Sequence, residues 1–197
     1  MSRRARNKEE TRRRILAAAR ELFDDRGYEQ TTTREIAARA GIAAGTLFNY
    51  YREKRELAQE LFQRELDAVV EQAFDGSPGG GPLVDELMQV FTRLYAHYQC
   101  DPERARVYLR ELTFPPREGK VRFMLWNTRF LQRLGQIIEH AQRRGELRAD
   151  LVPFLAAEQA FAIYFFVLLA WLHGAVPVAL RDTQLREQLG LMVRGIS

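Results

Sequence analysis

Apolar residues fall at helical spacing almost from the start of the chain. Ile15, Leu16, Ala19, Leu22 and Phe23 recur every three or four positions and Gly27 supplies a stop, so the pattern predicts a first helix over 8–26. Thr32 with Glu35 three residues on is a capping box, and the stripe it opens, Ile36, Ala37 and Ala40, lasts only about two turns. Gly41 then offers a left-handed C-terminal stop. A third piece, 44–51, turns Leu47 and Tyr51 inward one turn apart, with Gly45, Thr46 and Asn49 pointing away and Phe48 and Tyr50 on the flanks. From Lys54 a fourth helix runs through Leu57, Leu61, Phe62, Leu66 and Val69 to about Phe74.

The stretch "GSPGGGP" at 76–82 interrupts the pattern. No Lys-Ser or Lys-Thr follows its glycines and no strand precedes them, so it reads as a linker and not as a phosphate loop. Beyond it the spacing predicts helices over 83–99, 102–114, 117–144, 153–173 and 183–196, parted by "DP", "PPREG", "RGELRAD" and "GAVP". Alternating runs bounded by hairpin signals are absent from the sequence, and the fold class is all-α.

Charge changes the picture when it is divided along the chain. Residues 1–55 hold 14 Lys+Arg against 8 Asp+Glu, net +6, whereas 56–197 are net −2. Arg3, Arg4, Arg6, Lys8, Arg12, Arg13 and Arg14 make a basic arm that a polyanion attracts, the bland reading being a frayed, solvated terminus. The most apolar run, Ala160–Leu172, has 13 residues against roughly 20 for a membrane-spanning helix, and reads as a buried helix. The opening "MSRRARNKEE" carries no apolar leader, so the expected location is the cytoplasm, with no membrane partner. Cys100 is the single cysteine, which rules out an internal disulfide and is expected to be an inert packing residue. His97, His140 and His173 lie far apart and none belongs to a zinc-binding or nucleophile signature. No catalytic residue, metal ligand or cofactor is expected, and the chain reads as a non-enzyme.

Binding has stronger support. Two short helices joined by a tight turn are what a helix-turn-helix requires, with the second lying in the major groove. Arg34 has forked donors for a guanine edge or a phosphate, and Asn49 matches adenine's paired donor and acceptor. Thr46, Tyr50 and Lys54 suit phosphate oxygens, while Gly45 lets the backbone approach closely. Thr33, Ala44 and Phe48 complete the expected DNA-facing surface, and Arg12 and Arg14 of the arm are expected on phosphates. Against this stands plain surface polarity for Thr46 and Asn49, and packing for Phe48 and Tyr50.

The run "TTTREIAARAGIAAGTLFNYYREKREL" at 31–57 resembles the DNA-binding signature of the TetR family of bacterial repressors. Ile36 and Ala37, Ala40 and Gly41, Gly45, Thr46 and Leu47, and Lys54 fall where that family has them, and the likeness extends back to Thr11. Four positions depart. Ala43 stands where a capping serine is usual, Phe48 where a tyrosine is common, Tyr50 where histidine is frequent and Tyr51 where phenylalanine is.

The resemblance implies an N-terminal helix-turn-helix three-helix module with its basic arm (1–55), joined by a connecting helix to a C-terminal α-helical ligand-binding and dimerisation domain (56–197). The apolar pattern agrees. Residues 154–172 are apolar almost all round, more than one packing partner needs, so a second subunit is expected to cover them. Phe165, Leu168, Leu169, Trp171 and Leu172, with Leu185, Leu189 and Met192 on the last helix, are placed in an intermolecular four-helix bundle. Such a homodimer would set two recognition helices roughly 34–36 Å apart to read an inverted repeat in double-stranded DNA. Phe91, Tyr95, Tyr108, Met124, Trp126, Asn127, Phe161 and Tyr164 are the candidates to line a cavity for a small hydrophobic or aromatic effector. The expected function is a ligand-responsive transcriptional regulator, a repressor that releases a palindromic operator when its effector binds. The alternative from another class is a helical small-molecule sensor or carrier without DNA binding.

Overall fold

The computed structural model describes residues 2–75, 80–113 and 117–197, and side chains outside 111–123. Much of the expected linker at 76–82, and of the expected break at "PPREG", lies outside the described residues. Among the described residues the elements are nine helices: α1 (Arg3–Gln30), α2 (Thr33–Arg39), α3 (Ala44–Phe48), α4 (Lys54–Asp75), α5 (Leu83–Cys100), α6 (Pro102–Thr113), α7 (Arg117–Arg143), α8 (Pro153–Leu172) and α9 (Val178–Ile196). No strand occurs among them.

Three helices differ from the sequence pattern for local reasons. Helix α1 begins at Arg3 because Ser2 caps it, its Oγ accepting from the Ala5 N–H at 3.3 Å, so the basic arm is the opening of a helix. It is kinked at Gly27, whose φ of 81° a side chain would strain, and the chain resumes to Gln30. Helix α3 stops at Phe48, short of Tyr51. Helix α9 begins at Val178, directly after Pro177, well before Thr183. Arg181 in its first turn explains the early start. Its buried guanidinium lies 4.5 Å from the Tyr95 ring centre and 4.7 Å from that of Trp171, with Asp182 Oδ1 at 2.8 Å.

The chain divides into two compact units, Met1–Glu65 with Glu103–Thr113, and Leu66–Pro102 with Phe114–Ser197. The first boundary falls inside α4, between Glu65 and Leu66, where the sequence suggested a division after residue 55. Leu57, Ala58 and Leu61 of α4 belong to the same buried cluster as Ile15, Ala19, Phe23, Ile36 and Leu47. Helix α6 joins the first unit through Arg104, which is buried and pairs with Glu65 at 3.2 Å, and through Tyr108, whose ring stacks on Phe62 at 4.3 Å. Charges this deeply buried persist only when paired.

In the second unit, α5, α7, α8 and α9 pack on one another. Helices α7 and α8 run antiparallel, since a Cβ placed on Gly135 would lie 3.9 Å from the Phe154 backbone while Phe130 meets Phe161 at 5.5 Å. The 13-residue apolar run sits inside a 20-residue helix, α8, long and apolar enough by length and composition to cross a membrane. It is packed as the central helix of its unit, with Ala157, Ala160, Tyr164, Val167 and Leu168 buried. Tyr95 donates its hydroxyl to the Tyr164 carbonyl at 2.9 Å, and burial raises its pKa. Cys100, expected as a packing residue, is exposed at the end of α5.

Candidate nucleic-acid interface and effector region

The turn between α2 and α3 is built by local chemistry. Thr32 accepts from the Glu35 N–H at 3.3 Å while the Glu35 carboxylate accepts from the Thr32 N–H at 2.9 Å, the reciprocal pair of a capping box. The hydrogen bonds from Thr32 hold the Glu35 carboxyl below its ordinary pKa. At the other end the Ile42 N–H reaches the Ala37 carbonyl at 3.0 Å and the Gly41 N–H that of Ala38 at 3.1 Å, a Schellman motif. It needs the left-handed Gly41, φ 66°. Helix α3 has no side-chain cap, as Ala43 dictates, and five residues cannot hold a helix alone; fully buried Leu47 anchors it in the core.

This construction sorts the expected contact residues. Arg34, Gly45, Phe48 and Asn49 are exposed, with Phe48 49% accessible despite its apolar ring. No hydrogen bond or ion pair engages the Arg34 or Asn49 side chain among the described residues. Thr33 and Thr46 are half-buried, and Ala44 and Tyr50 are half-buried against the core cluster.

The other cations expected on DNA, Arg12, Arg14 and Lys54, have partners inside the unit. Arg12 Nη2 meets Glu60 Oε2 at 2.5 Å and its Nε donates to the Tyr51 hydroxyl at 3.2 Å. The Glu60 hydrogen bond, then the Tyr51 one, raises the Arg12 pKa. Burial opposes ionisation of Glu60, but the bonds from Arg12 and Tyr51 outweigh it and hold that carboxyl below its ordinary pKa. Arg14 donates to the Ala40 carbonyl and, at 3.2 Å, to that of Gly41. Lys54 donates to the Tyr28 carbonyl at 2.7 Å and to that of Glu29 at 3.3 Å, with its ammonium 4.2 Å from the Tyr28 ring centre. Arg12, Arg14 and Lys54 thus brace α1, α2 and α4 against one another.

Two neighbouring cations differ from these three. Arg13 and Arg52 are exposed and carry no side-chain partner among the described residues, as do Arg3, Arg4, Arg6 and Lys8. The sequence held a signal for Arg13. Arg12 shares the inward stripe of Ile15, Leu16 and Ala19, whereas Arg13 lies in line with exposed Ala17, Arg20 and Asp24.

Residues 15–61 match the model of the bacterial regulatory proteins of the tetR family. Those residues carry the DNA-binding module of the TetR family. The chain is a DNA-binding transcriptional regulator. The HTH-type transcriptional repressor BepR of Brucella suis biovar 1 (strain 1330) is 26% identical over 171 residues, covering 84% of this chain and 82% of that protein. The fatty acid metabolism regulator protein of Bacillus subtilis (strain 168) is 24% identical over 157 residues, covering 80% and 81%. In fold, the TetR-family repressor FadR of Thermus thermophilus, solved with lauroyl-CoA, has a TM-score of 0.71 at 24% identity and covers 94% of this chain and 95% of its own.

The candidate effector residues do not form one cluster. Tyr108 lies in the first unit, where its hydroxyl meets Gln63 Oε1 at 2.5 Å. The other seven lie in the second unit. Phe91, Tyr95 and Tyr164 are a closed stack, with ring centres 4.6 Å and 5.0 Å from Tyr164, and all three are buried. Trp126, Asn127 and Phe161 are half-buried, and Met124 is exposed. The Trp126 indole N–H donates to Asp67 at 2.8 Å. An open groove of about 530 Å³ lies elsewhere, along Val84, Arg186, Gly190 and Leu191.

The residues assigned to a subunit interface also separate. Leu168, Leu172, Leu185 and Leu189 are buried within a single chain, and the Trp171 ring carries Arg181. Phe165, Leu169 and Met192 are half-buried. The large apolar side chains left exposed on α8 and α9 include Leu155, Phe166, Leu180 and Leu191. Among the described residues no three His, Cys, Asp or Glu side chains converge as a metal site.

Proposed function

We propose that this protein is a homodimeric repressor that holds an inverted-repeat operator and releases it when a small apolar effector enters the second unit, acting in the cytoplasm. One observation carries the DNA reading: Arg34, Gly45, Phe48 and Asn49 are exposed around a braced turn, with no partner for the Arg34 or Asn49 side chain among the described residues. Arg34 and Asn49 would read base edges, and Arg13 and Arg52 would neutralise phosphates. Dimerisation is supported by Leu155, Phe166 and Leu191, exposed to 55, 60 and 64%, which a second copy would cover. An apolar effector is in keeping with the aromatic interior of the second unit, and the Thermus thermophilus relative was solved with lauroyl-CoA.

The test is retention on duplex DNA against salt. A repressor prefers one inverted repeat, with affinity falling steeply as salt rises. Binding that ignores both sequence and salt would remove the reading.

A further inference from the structure

Among the described residues of α7, the inward face carries one polar side chain, Asn127, that its neighbours do not satisfy. Stepping back from Ala141 through Ile138, Leu134, Leu131 and Phe130, the apolar stripe arrives at Asn127, within the same narrow sector of the helix. The Asn127 Oδ1 is sealed from solvent and has no hydrogen-bond partner among the described residues. Buried polar atoms are nearly always paired, because leaving one unpaired forfeits its hydration for nothing. Phe130 touches Phe161 at 5.5 Å, so Asn127, one turn earlier on the antiparallel helix, comes level with the step from Phe161 to Phe165. Phe161 and Phe165 stack at 5.8 Å and Trp126 stacks on Phe130 at 5.5 Å, and Phe161, Phe165 and Trp126 are all only half-buried. Here a lone carboxamide lies beside aromatic rings that keep part of their surface open.

We infer that Asn127 is the hydrogen-bonding residue of a site between α7 and α8 for a neutral, flat aromatic molecule bearing a hydroxyl group. This rests on the reading of the second unit as the effector-binding unit and names the ligand chemistry of that site. A hydroxyl both donates and accepts, so it satisfies the carboxamide whichever of its ends faces the recess. The molecule is flat because ring faces stack best on planar partners. It is neutral because an ionised group would lose its hydration against a stripe that offers no opposite charge.

The test compares 2-naphthol with naphthalene, at one concentration within the hydrocarbon's solubility, by thermal denaturation of the full-length chain. The wild type should be stabilised more by 2-naphthol than by naphthalene, and Asn127→Leu should erase that preference. Ligand-free Asn127→Leu should also melt higher, by about 2–4 °C, since the unpaired oxygen is gone. Equal shifts with the two compounds in the wild type would overturn the inference, as would a preference that survives the substitution or a folded leucine variant that melts no higher. If Asn127→Leu fails to fold, Asn127→Ala supplies the comparison of the two compounds without added bulk. Operator binding followed alongside separates the two readings. A naphthol preference without DNA release supports this site and sinks effector-driven release, whereas release by a compound equally active on Asn127→Leu sinks this site and spares the other.

Discussion

The Arg14 guanidinium on α1 donates to the carbonyl of Gly41, 3.2 Å away and 27 residues further along the chain. With its second bond, to the Ala40 carbonyl, it places a cation at the C-terminal end of α2, where the helix dipole favours one. The turn that aims α3 is therefore held from outside as well as by its own Schellman motif.

Arg14→Ala removes both bonds and is expected to weaken operator binding about tenfold or more, since one charge-assisted hydrogen bond alone is worth about 1.5–3 kcal/mol. The slope of log affinity against log salt should stay unchanged, because no phosphate contact is lost. A slope smaller by about 1 would instead mark Arg14 as a phosphate ligand. Arg13→Ala is the control in which that drop is expected.

Asn49→Ala should lower specific affinity by about 1–3 kcal/mol and leave the melting temperature where it was, since the side chain is exposed and supports nothing. Competition between operator and random duplex is the measurement. Unaltered discrimination would remove Asn49 from the reading set.

Gly41→Ala combines two faults. A Cβ at φ 66° is strained, and it would meet Arg14 Nη2 at 2.8 Å, pushing that side chain off its carbonyls. We expect a loss of about 1 kcal/mol or more in chemical denaturation, with operator affinity falling in parallel. Gly45→Ala, where a Cβ meets nothing within 4 Å, should leave stability nearly unaffected.

Glu60 and Tyr51 set opposite edges of a pH range. Glu60 is held below its ordinary value, so its stabilisation is present above the unfolded carboxylate pKa of about 4.3 and is lost as the pH falls through the folded value. Tyr51 is pushed up to about 12, chiefly by burial, so its contribution is present below about pH 10 and lost as the pH climbs through 12. Denaturation across pH should show Glu60→Gln flattening the acid edge and Tyr51→Phe the alkaline one. An acid edge unmoved by Glu60→Gln would place it elsewhere.

Phe166→Glu should turn the proposed dimer into a monomer in sedimentation experiments while the helical content holds, because the side chain is 60% exposed in the single chain. Leu168→Glu, at a fully buried position, should unfold the second unit instead.

Features set by near neighbours in the chain could be read from the sequence alone. Thr32 and Glu35 close their capping box within one turn, Gly41 supplies the left-handed stop, and Leu47 falls on the inward phase of α3. Each depends on side chains only a few positions apart, so spacing suffices. Tertiary structure decided what the cations do. Arg12, Arg13 and Arg14 are consecutive and chemically identical, yet of the three only Arg13 has no partner among the described residues, because packing brings Glu60 and Tyr51 to Arg12 and the carbonyls at the end of α2 to Arg14. The same holds for Lys54 at the end of α1, for Arg104 beside Glu65, and for Asn127, whose oxygen finds no partner among the described residues. A charge or an amide takes its role from the partner within about 3 Å, and sequence spacing does not specify a partner dozens of residues away.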